Sequence, residues 1–444
     1  MSHIRDPIHG TIEVTHAEMR IIDHPVMQRL RNIKQLGFAE LAFPGASHSR
    51  YSHSIGAMHI ATRFFDKLFS SGELPDRVRQ RFRQAIRLAV LFHDVGHAPL
   101  SHTTEQLMPP VGELGLGLFA GPQVARKATH EDYTLKLILD SSLAEEVHRH
   151  FSVDDIYTTD LAELIVGDRF QNQSGRFRYG GIDYIPVLRQ IVSSECDADR
   201  MDYLLRDSFF SGVNYGKFDL DWLVDNVVPV QRDKVVYLGI RSRATFSFED
   251  FLLSRYHMFA GVYLHHTPVV FEQMLLRYFE ECEGEFSLSS DVEKYARIDD
   301  ITLWATLRDS QNEWAQRIMG RQPFVLLDER DESVQTSSID SEFHDELIQT
   351  LKENDVPHIA CRSKSMLSKY FHQENVSPIY VVTGAKNILP LDESTHIFQR
   401  YEQPVCFARI FVDPDVRPRA MQLMRALYAT KAKAILPTAP IGEA

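Results

Sequence analysis

Over the first 320 residues the apolar positions recur mostly three and four apart, the spacing of one helix face. Ile21, Ile22, Val26, Leu30, Ile33 and Leu36 trace such a face through residues 16–36, and Pro25 opens a new helix there with Asp23 or His24 at its N-cap. The stretch "AFPGASHSR" reads as a loop by its Pro, Gly and Ser content. A second helix carries Ile55, Met58, Ile60, Phe64, Phe65 and Leu68, and a third runs from Asp76 to His93. Residues 109–127, rich in Gly and Pro, are expected to be a loop. Helical spacing resumes in "EDYTLKLIL", "IPVLRQIVSSE" and "ADRMDYLLRDSFF", then in one long helix from Ser247 to Glu280. The tail differs. "QPFVLLDE", "PHIACRS", "PIYVVTG" and "PVCFARIFVD" read as strands, with helices in "SEFHDELIQTLKEN" and "PRAMQLMRALYATKA". The expected fold is therefore mostly α: a helical core over 1–320 and a smaller α+β domain over 321–444.

Bulk composition narrows this picture only slightly. With 44% apolar and 25% charged residues, the chain has the makings of a sizeable core. Its net charge of −13 excludes nucleic-acid binding through bulk charge, while leaving room for a local basic cleft. Cys196, Cys282, Cys361 and Cys406 are far apart and form no CxxC pair, which fits a reducing compartment. The start "MSHIRDPIHG" predicts no signal peptide, and no apolar run approaches the roughly 18 residues of a membrane span. A cytoplasmic protein is expected.

The chemistry concentrates in "RLAVLFHDVGHAPLSH", residues 87–102. Leu88 to Phe92 are apolar, and Gly96 and Pro99 stop the helix. At such an end His93 and Asp94 can converge on one ion, and imidazole with carboxylate suits iron, manganese, zinc or nickel better than calcium. Two ligands are too few; His53, at the start of the preceding helix, and Asp199, in "DADRMDYLLRD", are candidates for the others. The acids of "DADRMD" also fit a solvated helix face, and His48 and His59 fit ordinary hydrogen-bonded core histidines. Arg50, three positions before His53, can face the same pocket. Arg200, Tyr203, Asp207, Arg255 and Tyr263 extend it into a phosphate site, because the planar guanidinium fork grips phosphate in two places. Arg255 fits a helix-surface ion pair equally well.

With these residues in hand, the chain resembles the HD-domain phosphohydrolases, specifically the deoxynucleoside triphosphate triphosphohydrolases. Its likeness is to the catalytic core of the SAM- and HD-domain-containing dNTPases and their bacterial relatives. The motifs are "DPIHGTIEV", "IIDHPVMQRLRNIKQLG", "FPGASHSRYSHSIG", "LFHDVGHAPLSH", the His130-Glu131 pair, "DADRMDYLLRD" and "RYHMFAGVYLHH". They cover about residues 1–270 in order, and because they begin at Asp6 no SAM domain is expected before the core.

The resemblance implies a metal held by His53, His93, Asp94 and Asp199, of either nuclearity, with Mg on the nucleotide as a further candidate. It implies His130 as general acid to the leaving 5′-oxygen, Glu105 orienting it, and His97 and His102 near the phosphates. Glu105 stands where relatives carry Asp, which changes the reach by one methylene. Arg50, Arg200, Tyr203 and Arg255 resemble the triphosphate binders. Gln35 and Asp207 resemble the pair that holds the sugar 3′-hydroxyl, and Leu36 and Tyr263 those that crowd the 2′ position. Relatives also bind GTP or dGTP as activators between subunits and form dimers or tetramers. Asp23, Gln28 and Arg31 match residues that recognise the activating base. Ser2 and Arg5 stand where the relatives place lysine and asparagine, and Arg5 retains the means to bind phosphate. The expected reaction turns a dNTP and water into deoxynucleoside and inorganic triphosphate, with the C-terminal domain serving assembly. Two rivals remain: an HD phosphohydrolase acting on nucleoside monophosphates or cyclic nucleotides, and a non-catalytic nucleotide- or single-stranded nucleic-acid-binding module.

Overall fold

In the computed structural model, the helix Arg50–Leu68 (α1) is buried along most of its length, and Asp76–Phe92 (α2) packs against it. The described residues are 1–70, 72–117, 124–167, 175–332, 338–365, 377–384, 387–395 and 404–435. The sequence of α2 changes character midway: Asp76–Arg81 is polar except for Val78, whereas every residue from Ala85 to Phe92 is buried. The helix thus drives its C-terminal end into the core. Arg87 lies on that buried half, where it donates to the carboxylate of Glu18 and to Thr62 Oγ1 (2.6 Å). Such a charge is tolerable inside only because it is fully paired.

Helices His130–Asp140 (α3), Ser142–Phe151, Thr158–Val166, Ile185–Val192 and Ala198–Ser211 (α4) complete the first bundle. Two glycines let its helices close on the site. A Cβ on Gly96 would lie 2.1 Å from His130 O, and one on Gly56 would lie 2.0 Å from Asp202 Oδ1. Side chains at either position would push α3 or α4 away from α1 and α2.

The helical run expected over 16–36 is interrupted. His16–Ile22 is closed at its start by a Thr15/Glu18 capping box, Pro25–Gln28 begins anew with His24 as N-cap, and a 3₁₀ turn covers Arg29–Asn32. Beyond it the backbone extends, and Gln35 N donates to His48 O (3.0 Å). The long helix expected from Ser247 to Glu280 is likewise two: Thr245–Met258 (α5), a π turn over Phe259–Tyr263, then His266–Glu281 (α6). Pro268 explains the restart, since it lacks an N–H and is tolerated only in a first turn. Within the expected loop 109–127, a 3₁₀ turn spans Val111–Leu114, and 118–123 lie outside the described residues.

An N-terminal hairpin and a mixed sheet were not anticipated. Ser2–Asp6 (β1) pairs antiparallel with Gly10–Val14 (β2), burying Ile12 and Val14. A mixed sheet is built on Arg178–Tyr179 (β3), Ile182–Asp183 (β4), Val227–Arg232 (β5) and Val235–Arg241 (β6). The tail contributes strands to two different sheets. Val325–Asp331 (β7), His358–Ser365 (β8) and Val405–Val412 (β11) form an antiparallel sheet in the order β7-β11-β8. Tyr380–Thr383 (β9) instead runs parallel to β6, with Asn387–Pro390 (β10) beside it.

The two compact units therefore do not follow one cut in the chain. The first holds Met1–Tyr263, Gly284–Thr306 and the described residues between 377 and 395; the second holds Leu264–Glu283, the described residues from 307 to 365, and 404–435. In the second unit, Leu327, Ile410 and Val412 of the sheet share a core with Phe343, Leu347 and Leu351 of helix Ser338–Glu353 and Ala420 of helix Arg417–Ile435. The fold class is mostly α, a helical core with a smaller sheet-containing C-terminal region. Among the described residues no helix is long and apolar enough to cross a membrane.

Candidate metal centre and active site

His93 is the C-cap of α2 and Asp94 follows it, while His53 lies in the first turn of α1 and Asp199 in the first turn of α4. Three helix ends thus meet. His53 Nε2 is 3.3 Å from His93 Nε2 and 3.0 Å from Asp199 Oδ1, and His93 Nε2 is 3.4 Å from Asp199 Oδ1. Asp94 stands beside them, Oδ1 3.4 Å from His93 Nε2 and Oδ2 3.6 Å from His53 Nε2. Ligands about 2.0–2.2 Å from one ion sit roughly 3–3.5 Å from each other, so this donor set fits a divalent transition metal. The electrostatics agree. Burial opposes a charge on His53, yet hydrogen bonds to Asp199 and Asp202 raise its pKa to about 10. Burial likewise works against ionised Asp199, but His93 and His53 hold it well below the usual carboxylate range. A divalent cation would take over the role of those protons.

Both imidazoles are fixed from behind. His93 Nδ1 donates to Val90 O (2.6 Å), and His53 Nδ1 to Asp202 Oδ2 (2.9 Å), leaving each Nε2 to face the centre. Asp202 accepts two further bonds from Arg206 (2.8 and 2.9 Å) and lies 2.6 Å from His9 Nε2. Arg206 in turn donates to Asp6 Oδ2 (2.9 Å), whose Oδ1 caps the backbone of Ile8 and His9. Asp6, His9, Asp202 and Arg206 form a buried scaffold to which sequence reasoning assigned no role. The available signal was the spacing 199, 202, 206 along one face of α4.

A second group extends from Asp94. Its Oδ1 lies 3.3 Å from His97 Nε2, and the His97 ring stacks on His130 (centroids 3.9 Å apart, 12° between planes). His130 Nδ1 makes a close hydrogen bond to Glu105 Oε1, and His102 Nδ1 lies 3.4 Å from Glu105 Oε2. Burial, then Arg50 and His130, hold His97 neutral. Burial opposes the Glu105 charge, but its hydrogen bonds from His102 and His130 outweigh that and keep it ionised. Arg50 donates to Asp94 Oδ2 and, through Nε, to Ser101 Oγ (2.7 Å). Leu100 and Ser101 both have positive φ (54° and 61°). Two such non-glycine residues cost about 1–3 kcal/mol each, a strain typical of sites the surrounding structure over-determines. Ser101 Oγ donates to Lys34 O (2.7 Å), and Leu100 N donates to Asp300 Oδ1 (2.7 Å), which pins the turn.

The remaining arginines are already paired. Arg255 Nη1 donates to Glu195 Oε2 (2.8 Å), and Arg200 Nη1 to Asp197 Oδ2 (3.2 Å), all of them largely buried. Burial raises Asp197 to about 6 against the pull of Arg200. The Tyr203 ring lies 6.5 Å from His53 and 6.2 Å from Tyr263, and burial pushes its pKa up to about 12. Asp207 accepts from Tyr263 OH (2.8 Å) and lies 2.7 Å from His48 Nε2. Gln35 is buried next to Leu36, in the segment that bonds the His48 backbone. The residues matched to an activator lie elsewhere on the surface. Gln28 accepts from Arg31 Nε (2.7 Å), Arg31 covers the Tyr51 ring, Asp23 caps His16–Ile22, and Arg5 donates to Thr11 Oγ1 (3.3 Å) on the β1–β2 hairpin.

Comparison with known proteins agrees with this geometry. The HD domain matches residues 50–207 and the HD associated region residues 218–352. The chain thus carries an HD domain, whose site here is a His/Asp cluster able to hold a metal ion. It is 31% identical to an uncharacterized protein of Methanocaldococcus jannaschii over 72% of this chain and 57% of that one. It is also 31% identical to the deoxynucleoside triphosphate triphosphohydrolase SAMHD1 homolog of Dictyostelium discoideum, over 65% of this chain and 51% of that one. The chain spans about half the length of the curated relatives it matches. Among solved structures, a hypothetical protein from Aquifex aeolicus superposes with a TM-score of 0.72 at 25% identity, over 95% of this chain and 99% of that one.

Proposed function

We propose that the protein is a metal-dependent deoxynucleoside triphosphate triphosphohydrolase. The observation that carries the reading is the junction at Asp94, which joins the metal-type cluster to the His97–His130–Glu105 arm. With a metal bound there, it would set an electrophilic centre beside a proton donor, as the cleavage of a phosphate ester requires. The similarity to SAMHD1 homologues supports the substrate class. A divalent transition metal bound at the cluster would polarise the α-phosphate and lower the pKa of a water. Arg50, held by Asp94 and Ser101, would steady the same phosphate. Since His130 Nδ1 is committed to Glu105, its Nε2 is the atom that would hand a proton to the departing nucleoside 5′-oxygen. Arg200, Tyr203 and Arg255 would hold the outer phosphates, and His97 and His102 would line their path. Gln35 and Asp207 would take the 3′-hydroxyl, with Leu36 and Tyr263 against C2′.

On the same reading, Asp23, Gln28, Arg31 and Arg5 would bind GTP or dGTP between subunits of a dimer or tetramer, and the second unit would serve assembly. The deciding experiment is a panel of all four dNTPs and rNTPs with and without a second nucleotide, with products identified. Release of inorganic triphosphate from a dNTP supports the reading. Orthophosphate release, opening of a cyclic nucleotide, or binding without turnover would replace it.

A further inference from the structure

His48 has the composition of an ordinary core histidine, yet its partners are unusual. Its Nε2 lies 2.7 Å from Asp207 Oδ1, while the other oxygen of Asp207 accepts from Tyr263 OH at 2.8 Å. Burial, then the Asp207 charge, holds the Tyr263 hydroxyl well above its ordinary pKa, so it remains a donor. The His48 ring is itself immobilised by stacking on Phe210 (centroids 4.7 Å apart, 17° between planes). Asp207 is thus clamped from both sides by groups on two other segments. With Nε2–H directed at the carboxylate, a neutral His48 carries an acceptor at Nδ1. That Nδ1 and Gln35 Oε1 are both buried with no hydrogen-bond partner among the described residues. The two residues are neighbours, since Gln35 N donates to His48 O. Buried acceptors left unmatched are costly, and two of them on backbone-paired segments suit a ligand that brings donors, such as a hydroxyl-bearing sugar.

We propose that His48 is a positioning residue for sugar recognition: it locks the Asp207 carboxylate in the orientation that meets the 3′-hydroxyl of the nucleotide. This rests on the triphosphohydrolase reading. A carboxylate oxygen that accepts one bond keeps a second lone pair, so the clamp leaves Asp207 able to accept from the sugar. Without His48 the carboxylate loses one of its two fixed donors and with it a defined plane.

The test compares kcat/KM for the dNTP turned over fastest with its 2′,3′-dideoxy counterpart. Wild-type protein should favour the 3′-hydroxyl. In His48→Ala the dNTP value should fall about 10- to 100-fold, the worth of one oriented hydrogen bond to a charged group, while the dideoxy value stays within about twofold. His48→Gln, whose amide N–H can reach Asp207, should restore most of the preference, which separates positioning from a general loss of fold. Preference retained in His48→Ala, or both substrates slowed alike in both variants, overturns this inference alone. If wild-type protein hydrolyses no dNTP, the functional reading falls and this inference falls with it.

Discussion

The two ends of the site are prepared in opposite ways. At the metal end, donors already face one point and their backs are tied: His93 to Val90 O, His53 to Asp202, and Asp202 to Arg206 and His9. At the arginine end, the cations are already neutralised, Arg255 by Glu195 and Arg200 by Asp197. On the proposed reading, an ion would meet donors that already converge at the first, whereas a phosphate at the second would compete with the carboxylates for the guanidinium donors. Preorganisation at one end and partner exchange at the other make different demands, and substitutions separate them.

The largest effect is expected where the ion sits. His93→Ala or Asp94→Ala should remove most bound transition metal and nearly all turnover while the fold persists, because both residues stand at the end of a helix whose core lies further back. Elemental analysis checks this; full metal occupancy in Asp94→Ala would contradict the assignment. His130→Ala should keep its metal and lose about 10²–10⁴ in rate, the usual worth of a general acid. Loss of metal in that variant would move His130 from the proton-transfer arm into the metal site. Smaller again is Asp202→Asn. It leaves every donor in place but weakens the brace on His53, for which a loss of about 10- to 100-fold in metal affinity is typical. Turnover should fall at limiting metal and recover at excess. Failure to recover would mean that Asp202 does more than orient His53.

How much of this could be read from sequence depended on separation along the chain. His93 and Asp94 are adjacent at a visible helix stop, and Arg50 and His53 fall within one turn of each other, so local pattern sufficed to nominate them. The brace behind them joins Asp6 to Arg206 and His9 to Asp202, pairs about 200 residues apart. No local pattern encodes such a pairing. Gly96 was legible only in part: it reads as a helix stop and the helix does end at Phe92, but that it also lets α3 approach depends on a contact distant in sequence. The tail strands were legible as strands from their β-branched and aromatic content. That β9 leaves its neighbours and pairs with β6 is a matter of long-range register, which propensity does not carry. His48 and Glu195 share one cause: what a polar residue does inside depends on which partner it meets, and that is set by topology.

The smallest effect is the most direct probe of the arginine end. Glu195 and Arg255 have side chains only 4% exposed each, and their bond is 2.8 Å. Glu195→Gln keeps the shape and one acceptor oxygen but removes the charge. Arg255 is then a buried cation without full compensation, so the ligand-free protein should melt lower. The same change weakens the acceptor that would compete with a phosphate for Arg255. The exchange should become easier by about 1–2 kcal/mol, which is about a 5- to 30-fold lower KM for the substrate. Inorganic triphosphate should inhibit more tightly by a similar factor, and adding it should recover much of the lost melting temperature, because a ligand that binds only the folded state stabilises it. An unchanged or higher KM would mean that Arg255 serves Glu195 alone. The arginine end would then be structural, and the phosphates would be held by Arg50 and the metal.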